Sequence, residues 1–126
     1  MLVLNGVVTA EREAVVRLKV FGPEGKNSDV DAVLDTGFTG HLTLSPEVIQ
    51  ELGLPLLGSR RTILADGSRV ALDVHSAQVL WGDRRRPVQI LAAGRAGGTL
   101  AGMSLIWDHR VVLMAVEGGE VVVEPL

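Results

Sequence analysis

The chain has no cysteine and no tyrosine among its 126 residues, and only two phenylalanines and two tryptophans. Without cysteine there can be no disulfide, no thiolate zinc site and no cysteine nucleophile. No apolar run comes near the roughly 18 residues that a membrane-crossing helix requires. Positive charge is not in excess either. A formal net charge of -3 gives no electrostatic reason to expect nucleic acid or an anionic membrane as partner. Met1-Leu2-Val3-Leu4-Asn5-Gly6 lacks the basic and then long apolar pattern of a secretory signal, so the expected location is the cytoplasm.

What the chain does have is glycine, fifteen of them, and abundant valine. That combination favours many short strands joined by tight turns, hence an all-β fold. The length suits one domain spanning residues 1–126, large enough to bury a core without staples.

Local patterns fill this in. Leu2 to Thr9 reads as a first strand broken at Asn5-Gly6. Val16, Leu18 and Val20 alternate with Arg17 and Lys19, the period of a half-buried strand. Gly22 to Asp29 is dense in turn formers and reads as a surface loop, after which Val30 to Leu34 forms a buried strand. His41 to Leu44 can form another. One helix is clear: Ser45 is a good N-cap, Pro46 suits the first helical position, and Gly53 can end the helix in a left-handed conformation. Arg61 to Leu64 and Arg69 to Val74 flank Ala65-Asp66-Gly67-Ser68, a hairpin signal because Asp and Gly both tolerate positive φ. The alternation flips phase at His75-Ser76, which predicts a bulge or a change of strand partner. Gly82 to Pro87 reads as a basic turn, Val88 to Ala92 as a strand, and Gly94 to Thr99 as a loop. Val111 to Val116 is continuously apolar and reads as a buried strand. Gly118-Gly119 turns into a last strand, Val121 to Val123.

Chemistry concentrates at Ala32-Val33-Leu34-Asp35-Thr36-Gly37-Phe38-Thr39-Gly40. An apolar strand there delivers one carboxylate to a sharp turn, although an ionised carboxylate taken out of water costs several kcal/mol without partners. Asp-Thr-Gly alone is weak evidence, because an aspartate that merely accepts backbone N–H groups in a turn has the same sequence. The surroundings add to it. An Asp-Gly hairpin follows some thirty residues on, and Leu100-Ala101-Gly102-Met103-Ser104-Leu105 comes near the end with Gly102 enclosed by apolar residues.

In this order the three features resemble the retropepsin-like aspartic proteases, specifically the small single-domain bacterial type with one Asp-Thr-Gly motif. The resemblance covers roughly Val30 to Leu113. It implies an acid-protease-like closed β-barrel with one short helix and a flap hairpin, one half of a pepsin-type fold. It also implies Asp35 as the catalytic acid, supported by Thr36, Gly37 and Gly102. Ala65, Asp66 and Gly67 would lie on the flap and Thr99 in a substrate-lining loop. The implied activity is hydrolysis of peptide bonds in a polypeptide substrate, with no metal or organic cofactor. Two carboxylates sharing a proton are needed for that chemistry, one as base toward water and one as acid toward the carbonyl. A single Asp-Thr-Gly then calls for a homodimer with one Asp35 from each subunit. Thr36 would hydrogen-bond across the interface. Retroviral members commonly place an Arg after the apolar-Gly segment, paired with an acid downstream of the catalytic loop. Here those places hold Met103 and Thr39-Gly40-His41, so that ion pair is absent.

Other constellations compete. His41, His75 and His109 could form a metal site or be solvated and core-edge histidines. Arg84-Arg85-Arg86 reads as a solvated turn rather than a nucleic-acid contact. The alternative to the enzyme is a catalytically inactive module of the same fold, used for binding or assembly.

Overall fold

The computed structural model describes residues 2–93 and 98–126, so the expected loop over Gly94 to Thr99 lies mostly outside the described residues. Among these, ten strands and two short α-helices are present. The chain is mostly β-sheet, as the glycine and valine content suggests.

Strands β1 (Leu4–Val8), β2 (Ala14–Phe21) and β3 (Asn27–Leu34) form an antiparallel meander. Val16, Leu18 and Val20 of β2 are fully buried, and the intervening Arg17 and Lys19 face solvent. Arg17 pairs with Asp31 at 3.0 Å and Lys19 with Asp29 at 3.2 Å, exposed pairs that add little stability. The expected break at Asn5-Gly6 is absent. Gly6 stays in β1 opposite Val16, where glycine is required because a Cβ would strike the Val15 carbonyl. The loop expected over Gly22 to Asp29 is also shorter. Asn27, Ser28 and Asp29 already pair with Phe21, Val20 and Lys19, so β3 starts earlier than its apolar residues indicate.

Strand β4 (Leu42–Leu44) leads into helix α1 (Pro46–Leu52). The Ser45 hydroxyl accepts the Val48 N–H at 3.3 Å, and Gly53 closes the helix at φ 64°. Ile49 and Leu52 bury its inner face. Strand β5 (Leu56–Ile63) then pairs with the long β6 (Arg69–Trp81), which turns back into β7 (Arg84–Ala92).

The phase flip in β6 comes from a change of partner. β5 covers its edge from Arg69 to His75, and β2 takes over at Gln78 and Val79. Val74 is therefore buried on one parity, and Ala77, Val79 and Trp81 on the other. The irregularity itself sits in β5, between Leu56 and Gly58. The hairpin turn between β5 and β6 also differs from expectation: Gly67 alone takes positive φ, at 84°, and Asp66 does not. The Leu64 N–H donates to the Ser68 carbonyl at 2.8 Å, so three residues make the loop. The basic turn over Gly82 to Pro87 shrinks to Gly82-Asp83, because Trp81 pairs directly with Arg84.

After β8 (Leu100–Ala101) and the single-turn α2 (Met103–Ile106), strands β9 (His109–Leu113) and β10 (Glu120–Pro125) complete the sheet. Its order is β5-β6-β7-β4-β8-β3-β2-β1-β10-β9, with β2 also pairing β6. The whole sheet is not a closed ring, since β5 and β9 are its outer strands. The buried strand expected over Val111 to Val116 is instead the edge strand β9 and its following loop. With one neighbour, β10, it leaves Leu113, Met114 and Val116 exposed. No helix among the described residues is long and apolar enough to cross a membrane.

Candidate active site

Strand β3 runs parallel to β8 at its end, with Val33 opposite Leu100 and Leu34 opposite Ala101. Asp35 follows at once. Its N–H donates to the Ala101 carbonyl at 2.9 Å, so the backbone is held in the sheet up to the residue that carries the carboxylate. The chain then turns. The Gly37 N–H donates to Asp35 Oδ1 at 2.8 Å, and the Phe38 N–H to the Asp35 carbonyl at 3.1 Å. A Cβ on Gly37 would lie 3.1 Å from Oδ1, so glycine here permits close approach of the donor. Asp35 is half-buried, Thr36 and Gly37 are exposed, and Oδ2 accepts no hydrogen bond from the described residues.

The turn is backed by the segment from Gly102 to Leu105. The Met103 N–H donates to the Phe38 carbonyl at 2.8 Å, the Gly102 N–H to His41 at 2.9 Å, and the Ser104 N–H to Gly40 at 3.2 Å. The Ser104 hydroxyl donates to the Thr39 carbonyl. Gly102 has no room for a side chain: a Cβ would sit 2.6 Å from the Phe38 carbonyl oxygen and clash with its ring. The structure thus brings Asp35, Thr36, Gly37 and Gly102 together.

Thr99 joins them through its carbonyl, which accepts the Val33 N–H at 2.9 Å. Its segment is pinned by Thr43, a buried polar side chain not anticipated from the sequence. The Thr43 hydroxyl accepts the Leu100 N–H at 2.8 Å and donates to the Gly98 carbonyl at 3.2 Å. A lone hydroxyl between two leucines in β4 was the available signal. Ala65, Asp66 and Gly67 stand apart at the exposed tip of the β5–β6 hairpin. Asp66 Oδ1 accepts from the Ser68 N–H at 2.8 Å and its hydroxyl at 2.6 Å, and these bonds pull its pKa below the usual carboxylate value.

The histidines are dispersed, each in a different bond. His41 Nδ1 accepts the Gln89 N–H at 3.2 Å, His75 Nδ1 lies 3.1 Å from the Leu54 carbonyl, and His109 Nε2 accepts the Trp81 indole N–H at 3.0 Å. Burial, then the nearby Arg86 charge, lowers the pKa of His41. Among the described residues no three His, Asp or Glu side chains converge as a metal site would require.

Arg86 corrects another expectation. It is a half-buried residue of β7, not part of a solvated turn, and it donates to the Ser104 carbonyl at 3.1 Å and to the Leu105 carbonyl. Only the pairing of β7 across the sheet places it there, so no local pattern could have marked it.

Comparison with known proteins bears on this geometry. The family model described as aspartyl protease matches residues 16–105. A solved structure, that of a retropepsin-like aspartic protease from Rickettsia conorii, superposes with a TM-score of 0.58 at 16% identity, covering 94% of this chain and 87% of that one. At that identity the likeness is one of fold. No curated protein matches the chain.

Proposed function

Because the chain belongs to the aspartyl protease family, we propose that it is an aspartic endopeptidase whose catalytic acid is Asp35, working as a dyad across a homodimer. The observation that carries this is the strapped turn. Four hydrogen bonds and a glycine with no room for a Cβ hold the backbone behind one half-buried carboxylate, whose Oδ1 is oriented by the Gly37 N–H. A turn that only reversed the chain would need no such backing.

One Asp35 can act as base toward a water or as acid toward the scissile carbonyl, but not as both at once. With a second Asp35 beside it, like-charge repulsion leaves one proton shared between the two carboxyl groups. The ionised one takes a proton from water as the oxygen attacks the peptide carbon, and the protonated one gives a proton to the carbonyl oxygen. Exposure of Thr36 and Gly37 supports a second subunit packing on this turn, with Thr36 bonding across the axis. Cavities of ≈ 610 and ≈ 550 Å³ among the described residues are lined by other side chains than Asp35, which fits a substrate cleft completed by a second subunit. The β5–β6 hairpin serves as the flap, with Ala65, Asp66 and Gly67 at its tip over a polypeptide substrate and Thr99 lining the other side. The run β6-β7-β4-β8-β3-β2, tied back by the β2–β6 pairing, is the barrel in this reading.

The test is a peptide-cleavage profile across pH for wild type and Asp35→Asn, at a concentration where solution mass establishes the dimer. Cleavage by wild type that disappears in Asp35→Asn, with fold and mass unchanged, supports the proposal, and a statine-type inhibitor then binds wild type. Retained hydrolysis in Asp35→Asn rejects it. A strict monomer without cleavage leaves one carboxylate and favours a non-enzymatic binding or assembly module of the same fold.

A further inference from the structure

Helix α2 backs the Asp35 turn, yet it has little stability of its own. It is four residues long, Met103–Ile106, far below the length at which a helix persists unaided. Gly102 at its N-cap gives no side-chain cap, and no basic residue occupies its last turn. Its terminal carbonyls therefore need partners from elsewhere. Arg86 supplies them. Its Nη2 donates to the Ser104 carbonyl at 3.1 Å and its Nη1 to the Leu105 carbonyl. The guanidinium carbon lies 4.9 Å from the Trp81 ring centroid, so the indole and the two carbonyls fix the plane of the fork. No carboxylate among the described residues forms a salt bridge with Arg86. Burial lowers the arginine's pKa, consistent with a cation partly stripped of water. A charged side chain with only peptide carbonyls to satisfy it forms bonds stronger than neutral ones.

We propose that Arg86 is a positioning residue for the Asp35 turn, acting through α2 without touching substrate. The chain of contacts is short. Arg86 holds the Ser104 and Leu105 carbonyls. Ser104 in turn donates from its N–H to Gly40 and from its hydroxyl to Thr39, and Met103 donates to Phe38. Those three acceptors are the residues that follow Gly37. Loosening α2 lets the turn shift, and a misplacement of about 1 Å at a reacting carboxylate can cost around a hundredfold in rate. Lysine cannot replace the fork, because one ammonium does not span two carbonyls in a fixed plane. The role in catalysis rests on the proposal that Asp35 is the catalytic acid; the mechanical link does not.

The full-length protein is compared as wild type, Arg86→Met and Arg86→Lys, by amide hydrogen exchange and by steady-state peptide hydrolysis. In Arg86→Met, exchange at the Met103 and Ser104 amides accelerates by about tenfold or more, while the Leu18 and Val121 amides of the core keep their protection. In the same variant kcat falls by roughly ten- to a hundredfold with KM within about threefold, and Arg86→Lys recovers part of the rate. Unchanged exchange at Met103 and Ser104 overturns the proposal, as does a rise spread evenly over the core, or a change in KM alone. If Arg86→Met does not fold, Arg86→Lys provides the same comparison of local against core exchange. If wild type cleaves no peptide, the endopeptidase proposal fails, and the exchange pattern alone still decides whether Arg86 holds the turn.

Discussion

Two turns in this protein share the same local chemistry and differ in almost everything else. At Asp35-Thr36-Gly37 and at Asp66-Gly67-Ser68, an aspartate Oδ1 accepts the N–H of the residue two places on, at 2.8 Å in both. The first turn ends a strand of the core sheet, its aspartate is half-buried, and α2 is strapped behind it. The second tips an exposed hairpin, and a Cβ on Gly67 would meet nothing within 4 Å. Short polar turns of this kind are common because they satisfy themselves locally. What turns one of them into a candidate site is the non-local structure that fixes its position. The contrast teaches where to look: at the segment behind the aspartate, not at the tripeptide.

The sharpest break of the comparison uses the two glycines. Gly102→Ala drives a Cβ into backbone and ring atoms of the Asp35 turn, and is expected to destabilise the protein by about 3 kcal/mol and to stop cleavage. Gly67→Ala faces open space at φ 84° and costs only the left-handed conformation, about 1 kcal/mol. Urea melts of the two variants measure the difference. Equal losses would mean that the turns are not distinguished by what packs behind them.

Next in size is Thr43→Val, which keeps the shape but strips two hydrogen bonds from the segment ending at Leu100. Leaving the Leu100 N–H unsatisfied is expected to cost about 2 kcal/mol, read as a lower urea midpoint with an unchanged slope. The hairpin turn has no such dependence, so a Thr43→Val variant should leave exchange at Gly67 and Ser68 unaltered.

A smaller effect follows from His41, whose pKa is lowered by burial and by Arg86. The folded protein then binds this proton less readily than the unfolded chain, for which about 6.5 is ordinary. Stability from the neutral imidazole is complete above that value and is lost as pH falls toward the lower folded pKa. His41→Gln is expected to reduce the loss of thermal stability between neutral and mildly acid pH. A pH dependence identical to that of wild type would show that His41 does not contribute.

The sequence made some of this legible and hid the rest for identifiable reasons. Helix α1 could be read almost residue by residue, because Ser45, Pro46 and Gly53 act within one turn of where they stand. Asp35 and Gly102 were readable because each is framed by apolar residues in a recognisable order. Thr43 and Arg86 were not, since their partners are Gly98, Leu100, Ser104 and Leu105, reached only after distant strands have paired. The apolar run from Val111 to Val116 misled because composition does not reveal whether a strand has one neighbour or two. The hairpin tip misled in a smaller way: Asp66-Gly67 marks a turn, but its three-residue loop needs positive φ only at Gly67.

The central claim is that Asp35 works only as half of a pair, and subunit mixing tests it most directly. Wild type and Asp35→Asn are combined in varying ratio at constant total concentration, allowed to exchange subunits, and assayed on one peptide. If both carboxylates are required, activity follows the square of the wild-type fraction, so an equal mixture retains about a quarter of the rate. An equal mixture that keeps about half of the rate, as when each Asp35 acts independently, or about three-quarters, as when one Asp35 serves a whole dimer, would contradict the account.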